Sequence, residues 1–173
     1  MHSPVRVEHD LLGEREVPAD VYWGIHTLRA LENYPITGKP IGSYPELVKA
    51  LSLVKQAAAR ANHQLGQLDD TRHRAIEDAC REIADGRLHG QFVVDVIQGG
   101  AGTSTNMNAN EVIANLALES LGHRKGEYQY VNPNDHVNYG QSTNDIYPTA
   151  FRLALILRLA SYMDALRRLQ DAF

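Results

Sequence analysis

Phe151-Arg-Leu-Ala-Leu-Ile-Leu-Arg-Leu-Ala-Ser-Tyr-Met-Asp-Ala-Leu-Arg-Arg-Leu-Gln-Asp-Ala-Phe173 is the last stretch of the sequence, and its pattern decides the fold class. Phe151, Leu155, Leu159, Tyr162, Leu166, Leu169 and Phe173 recur at steps of three and four, the spacing of one helix face. Leu153, Ile156, Leu157 and Met163 widen the apolar surface beyond a single stripe, which predicts burial among other helices. About 23 helical residues would extend roughly 34 Å. No capping glycine or turn follows, so we expect a truncated chain whose partner helices lie beyond Phe173 or on other subunits. A membrane span is excluded for this stretch: its most apolar part, Leu153 to Met163, is too short and carries Arg158 at its middle.

Ahead of this helix, Ser142 and Asp145 have capping-box spacing and Pro148 sits near the first turn. Two further helices read clearly. One runs from about Asp70 to Ala84, with Ile76, Ala79, Cys80 and Ile83 inward and Gly86 as its stop; another runs from about Ser104 to Leu121 and is closed by Gly122. Ser43-Tyr-Pro-Glu46 looks like a helix start with serine as N-cap, followed by a face of Leu47, Leu51, Val54, Ala58, Ala61 and Leu65 and a stop at Gly66. The first 44 residues are punctuated by proline and glycine and read as extended and looping, with a short strand at Val5-Arg-Val-Glu8. Phe92-Val-Val-Asp-Val-Ile97 reads as a second short strand, and residues 123–141 as a structured loop. The fold class is therefore mainly α, with short strands and loops.

Composition narrows the function. The 173 residues hold 17 Lys and Arg against 21 Asp and Glu, a net charge of −4, which gives neither nucleic acid nor an anionic membrane a basic surface to bind. A lone Cys80 excludes a disulfide framework and suits a reducing cytoplasm. Met1 to Asp10 has no apolar core of a signal peptide. The asparagines are unevenly placed: eight of ten lie between Thr103 and Asn144, beside Ser104, Thr105, Ser142 and Thr143. Such residues compete with the backbone for hydrogen bonds, so a concentration of them marks caps, turns or a polar pocket. Function is to be sought in this window.

The familiar phosphate-loop, zinc-helix and nucleophile-elbow motifs are missing, and no two of the eight histidines have i, i+4 spacing, so no metal site is expected. Two clusters remain. In Gly99-Gly-Ala-Gly-Thr-Ser-Thr-Asn-Met-Asn-Ala-Asn-Glu111, glycines allow close backbone approach and the following helix offers free N–H groups to a carboxylate. The alternative is a glycine turn with Thr103 or Ser104 as N-cap. Gln141-Ser-Thr-Asn-Asp145 reads first as a helix cap, which accounts for one hydroxyl and one carboxylate but not for Gln141, Thr143 and Asn144 beside them. His26 and His136 read as hydrogen-bonded loop residues, Asp95 as a strand-end or cap carboxylate, and Cys80 as a core residue.

These two clusters, with Asn132-Pro-Asn-Asp-His-Val-Asn138, Glu8-His-Asp-Leu-Leu-Gly13, Val17-Pro-Ala-Asp-Val-Tyr-Trp-Gly24 and Thr27-Leu-Arg-Ala-Leu-Glu-Asn33, resemble the aspartase/fumarase superfamily over essentially the whole chain. Ser142-Thr143, Asn132-Pro-Asn-Asp-His136 and Gly100-Ala-Gly-Thr-Ser104 look like its aspartase branch; Trp23 is commoner in the fumarase branch. The resemblance implies a lyase domain over residues 1–141 and the start of a central helical bundle over 142–173, with the rest of the bundle and a C-terminal domain absent. It implies reversible β-elimination of ammonia from L-aspartate, a small dicarboxylate, to give fumarate, by a cytoplasmic homotetramer that needs no cofactor, although divalent metals activate some members. Thr103, Ser142 and Thr143 match carboxylate ligands, and Asn144 matches a position near the amino group. The family's catalytic base, a serine on a Gly-Ser-Ser loop, has no match here and is expected beyond Phe173, so the segment alone is expected to be inactive. Class II fumarase, another superfamily lyase, and a stand-alone helical oligomerisation module are the alternatives.

Overall fold

The computed structural model describes residues 4–98 and 100–173. Met1–Ser3 and Gly99, the first glycine of the Gly99–Gly102 run, lie outside the described residues. In order along the chain are β1 (Val5–Asp10), β2 (Gly13–Pro18), α1 (Ile25–Asn33), α2 (Pro45–Gln64), α3 (Asp70–Ala84), α4 (Thr103–Ser120) and α5 (Thr143–Asp171), with short helical turns at Ile41–Ser43, His89–Gln91 and Pro133–Val137. The mainly helical class read from the sequence is the observed one, and α3 and α4 fall within a residue of their expected bounds.

The core is built around α4. Every residue from Ala109 to Leu118 is buried, and α3 packs along one side through Ile76, Ala79, Cys80 and Ile83, all buried. The fully enclosed Cys80 thiol is pushed up to about 12 by desolvation, so it stays protonated as a small core residue. Asp69 caps α3, accepting from Arg72 N at 2.9 Å. Gly66 and Gly86 follow α2 and α3 with φ of +69° and +109°, the left-handed conformation that ends helices.

Four expectations are corrected. Ser43 is not the cap of α2: it lies in the preceding turn, Tyr44 occupies the cap position without a side-chain bond, and Pro45 opens the helix. The buried face of α2 is Leu47, Val48, Ala50, Leu51, Ser52, Lys55 and Ala59, whereas Ala61 and Leu65 are exposed. Residues 92–97 are not a strand. They make backbone bonds to residues 39–42, including Ile41 N to Val94 O at 2.9 Å and Val96 N to Lys39 O at 3.0 Å, but only one bridge forms, Pro40 with Asp95. The pairing ends on one side because Lys39 N turns to Thr37 Oγ1 (3.1 Å) and on the other because Ile41 enters the helical turn Ile41–Ser43. Finally, the N-terminal region is more ordered than a looping segment: β1 pairs antiparallel with β2 from Val5↔Pro18 to Asp10↔Gly13, and α1 follows.

The start of α1 explains why its sequence gives no helix signal. Gly24 occupies its cap position and has no side chain to accept a bond. The acceptors come from elsewhere. Glu111, fully buried on α4, accepts from Gly24 N (2.8 Å), His26 N (2.8 Å), Thr27 N (3.1 Å) and Thr27 Oγ1 (2.6 Å). Glu8 on β1 accepts from Ile25 N at 2.8 Å. Two carboxylates thus satisfy the free N–H groups and meet the positive end of the helix dipole. Burial pushes the Glu111 carboxyl up to about 7 against these donors. Glu8 is itself held by Arg6 Nε (2.7 Å) and Tyr128 Oη (3.1 Å).

Asp95, expected to be a strand-end or cap carboxylate, clamps a loop. It accepts from Thr37 N, Gly38 N and Ile97 N at 2.7 to 2.9 Å and from Thr37 Oγ1 at 2.9 Å. Burial raises its carboxyl, but these donors outweigh that and hold it at about 2. Its contribution to stability is therefore present above 3.8 and is lost as pH falls toward 2. Asp95→Asn is expected to flatten acid unfolding across that window, read by circular dichroism. Glu111→Ala is expected to cost about 3 kcal/mol or more, because it strands several buried donors at once; urea unfolding measures the loss, and amide exchange should rise first at residues 24–28.

Candidate functional site at two helix N-termini

The first half of the site is the start of α4. Gly102 occupies the cap position with φ of +90° and no side chain, so neither Thr103 nor Ser104 is the N-cap. The cap acceptor is supplied from outside the helix: Gln98 Oε1 accepts from Thr105 N at 2.9 Å, and Gln98 Nε2 donates back to Thr105 Oγ1 at 2.5 Å. Thr103, the first helical residue, is exposed, and its hydroxyl has no partner among the described residues.

The second half is the start of α5. Ser142 is the cap here, its Oγ accepting from Asn144 N at 3.2 Å. Ser142 and Asn144 are exposed and Thr143 is half-buried. Pro148 lies inside α5, past the first turn, so the Asn144 carbonyl has no i+4 N–H to accept from.

Two contacts bring these halves together. The Tyr147 ring lies against Gly102, where an added Cβ would collide with the ring's Cγ, Cδ1 and Cδ2. Asn106 Nδ2 donates to Thr143 Oγ1 at 3.0 Å, so the Thr143 hydroxyl receives a bond from α4 and keeps its own proton free among the described residues. A cavity of about 470 Å³ lies beside this contact, lined by Gln98, Gly100, Gly102, Asn144, Tyr147 and Pro148 among others; of the sequence-predicted residues it takes in Asn144 but not Thr103, Ser142 or Thr143. Two helix N-termini with unspent hydroxyl donors can bind a carboxylate by directed N–H and O–H bonds and by the positive ends of their dipoles.

Much of the asparagine-rich window serves the fold instead. Asn108 holds the 91–93 segment through Val93 N (3.0 Å) and Gln91 O (3.0 Å). Asn115 holds Tyr22 O (2.8 Å) and Gly126 N (2.8 Å). Asn132 caps the turn at Pro133–Val137 by accepting from Asn134 N and Asp135 N. His136 Nδ1 accepts from Asn132 N at 2.8 Å, a loop-structuring bond as expected. Sequence reasoning missed Lys55, whose Nζ lies 2.7 Å from Asn138 Oδ1 and 2.9 Å from Gln141 Oε1 behind Thr143. Its place on the buried stripe continues the four-residue step of Leu47 and Leu51, but its charge argues for an exposed residue.

Residues 13–173 match the family described as Lyase. The chain belongs to that lyase family. It is 60% identical over 174 aligned positions to the aspartate ammonia-lyase of Pseudomonas aeruginosa, covering 99% of this chain and 37% of that protein. The fumarate lyase:delta crystallin of Brucella melitensis superposes with a TM-score of 0.96 at 57% identity, over 98% of this chain and 39% of that one. The class II fumarase of Schistosoma mansoni gives 0.81 at 40% identity, over 87% and 32%. The chain therefore spans about a third of the length of these lyases, and the relatives named aspartate ammonia-lyase stand nearer than the fumarase, in the order the motifs indicate.

Gly102→Ala is expected to break the junction within the lyase fold. It imposes a side chain on a left-handed backbone and drives a methyl into the Tyr147 ring, and we expect a loss of roughly 2–3 kcal/mol. Thermal unfolding measures it, and restored stability in Gly102→Ala with Tyr147→Ala would trace part of the loss to the ring.

Proposed function

We propose that this segment supplies two walls of the substrate site of an aspartate ammonia-lyase, the enzyme that eliminates ammonia from L-aspartate to give fumarate. The observation that carries the proposal is the Asn106–Thr143 hydrogen bond at the meeting of two helix N-termini, in a chain with 60% identity to a relative of that name. Removal of a proton from Cβ sends electrons into the neighbouring carboxylate, which becomes a doubly charged aci-carboxylate before ammonia leaves. Neutral donors aimed at its oxygens lower the barrier, because they bind the extra charge more strongly than the ground state. Thr103, Ser142 and Thr143 take that role, and Asn144 lies toward the amino group.

The base is a serine supplied outside residues 1–173, so the segment alone is inactive. Residues 1–141 form the lyase domain and 142–173 begin a helical bundle. The exposed Leu155, Ile156, Leu159, Tyr162 and Leu169 of α5 support burial of that bundle against further helices; the cytoplasmic homotetramer is what the resemblance to the aspartase branch adds to this reading.

In the full-length enzyme, L-aspartate is expected to turn over and L-malate not; turnover of malate alone would assign the fumarase reaction instead. Thr143→Ala is expected to lower kcat by about 100- to 1,000-fold, the effect of removing one oxyanion-type donor. Unchanged steady-state kinetics would exclude Thr143 from the site.

A further inference from the structure

Lys55 is fully buried on α2, with none of its surface exposed. Its two acceptors, Asn138 Oδ1 and Gln141 Oε1, are neutral amides. The neighbouring titratable group on α3 is Cys80, whose thiol is protonated, and among the described residues no Asp or Glu forms an ion pair with Lys55. An enclosed ammonium without a counter-charge is unfavourable, and burial pulls Lys55 down to about 7. Apolar residues of similar length would fill the same space without that penalty.

The amine also dictates the orientation of the amides around it. Asn138 cannot turn its Nδ2 donors toward an ammonium, so it presents Oδ1, and Nδ2 donates instead to Gln141 O at 3.0 Å. With Oδ1 fixed, Asn106 meets it with Nδ2 at 3.1 Å. The same Nδ2 donates its other proton to Thr143 Oγ1 at 3.0 Å. Asn106 Oδ1 is left buried and without a partner among the described residues, so the orientation is set against the interest of Asn106 itself. Each step leaves one choice for the next, and the last fixes Thr143 as an acceptor toward α4 whose proton points elsewhere.

We propose that Lys55 is a positioning residue: its ammonium orders the Asn138 and Asn106 amides so that Thr143 offers its proton to a bound carboxylate, and that carboxylate compensates the buried charge. The inference rests on the dicarboxylate site proposed above. It assigns a part in that site to a helix, α2, whose Lys55 is enclosed behind Asn138 and Gln141.

The test is binding of succinate, a non-reacting dicarboxylate, to the full-length enzyme by calorimetry. Lys55→Met keeps the length and removes the charge; it is expected to weaken succinate at least tenfold while the thermal midpoint holds or rises. Asn138→Asp keeps Lys55 and its acceptor but places an anion beside it; it is expected to weaken succinate by a similar factor. If Lys55 serves only packing, Asn138→Asp retains succinate affinity within about twofold, and that result overturns the inference even where Lys55→Met fails to fold. Equal affinity in the unsubstituted enzyme and both variants overturns it while leaving the site reading intact. An unsubstituted enzyme that binds no succinate removes the site reading, and this inference with it.

Discussion

A polar group taken out of water must find a hydrogen-bond partner inside the protein, and α4 takes five amide or carboxylate side chains out of water: Asn106, Asn108, Asn110, Glu111 and Asn115. Because the helix satisfies its own backbone, most of these side chains draw in partners from elsewhere in the chain. Glu111 pins the start of α1, Asn108 the 91–93 segment, Asn115 the turn at Gly126 and the backbone at Tyr22, and Asn106 the start of α5. The apolar residues of α4 make the core, and its polar ones decide where the loops lie. The candidate site is one consequence, since the same helix that orders these loops also opens with free N–H groups at Thr103.

Legibility in the sequence followed the range of the interactions. α3 could be read to its ends because its cap, its stripe and its stop are all local. α1 could not: its capping carboxylate, Glu111, lies 87 residues from Gly24, and no window of sequence contains both. The run 92–97 has strand composition, but its partner segment leaves the ladder at Lys39 and Ile41, and pairing stops at a single bridge. Lys55 was hidden by its charge, which marks a residue as exposed unless acceptors are known to wait for it. Those acceptors lie 83 and 86 residues away.

The proposed site residues were legible as types and as positions along the chain, but not as neighbours in space. Thr103, Ser142, Thr143 and Asn144 stood out because hydroxyls and amides gather before helices. Capping accounts for Ser142. It does not account for Thr143, whose bond runs to another helix, or for Gln141, which faces an amine. The division between amides that tie loops to α4 and the one that bonds Thr143 appears only in the hydrogen bonds, because Asn106 and Asn108 are two residues apart and look alike in sequence.

The central claim is that the N-termini of α4 and α5 form one carboxylate-binding site. A crystal structure of the full-length enzyme with succinate tests it most directly. The account predicts carboxylate oxygens within hydrogen-bond distance of the Thr103 and Thr143 hydroxyls, with the Asn106–Thr143 bond retained. Succinate bound elsewhere, with both hydroxyls facing solvent or protein alone, would contradict it.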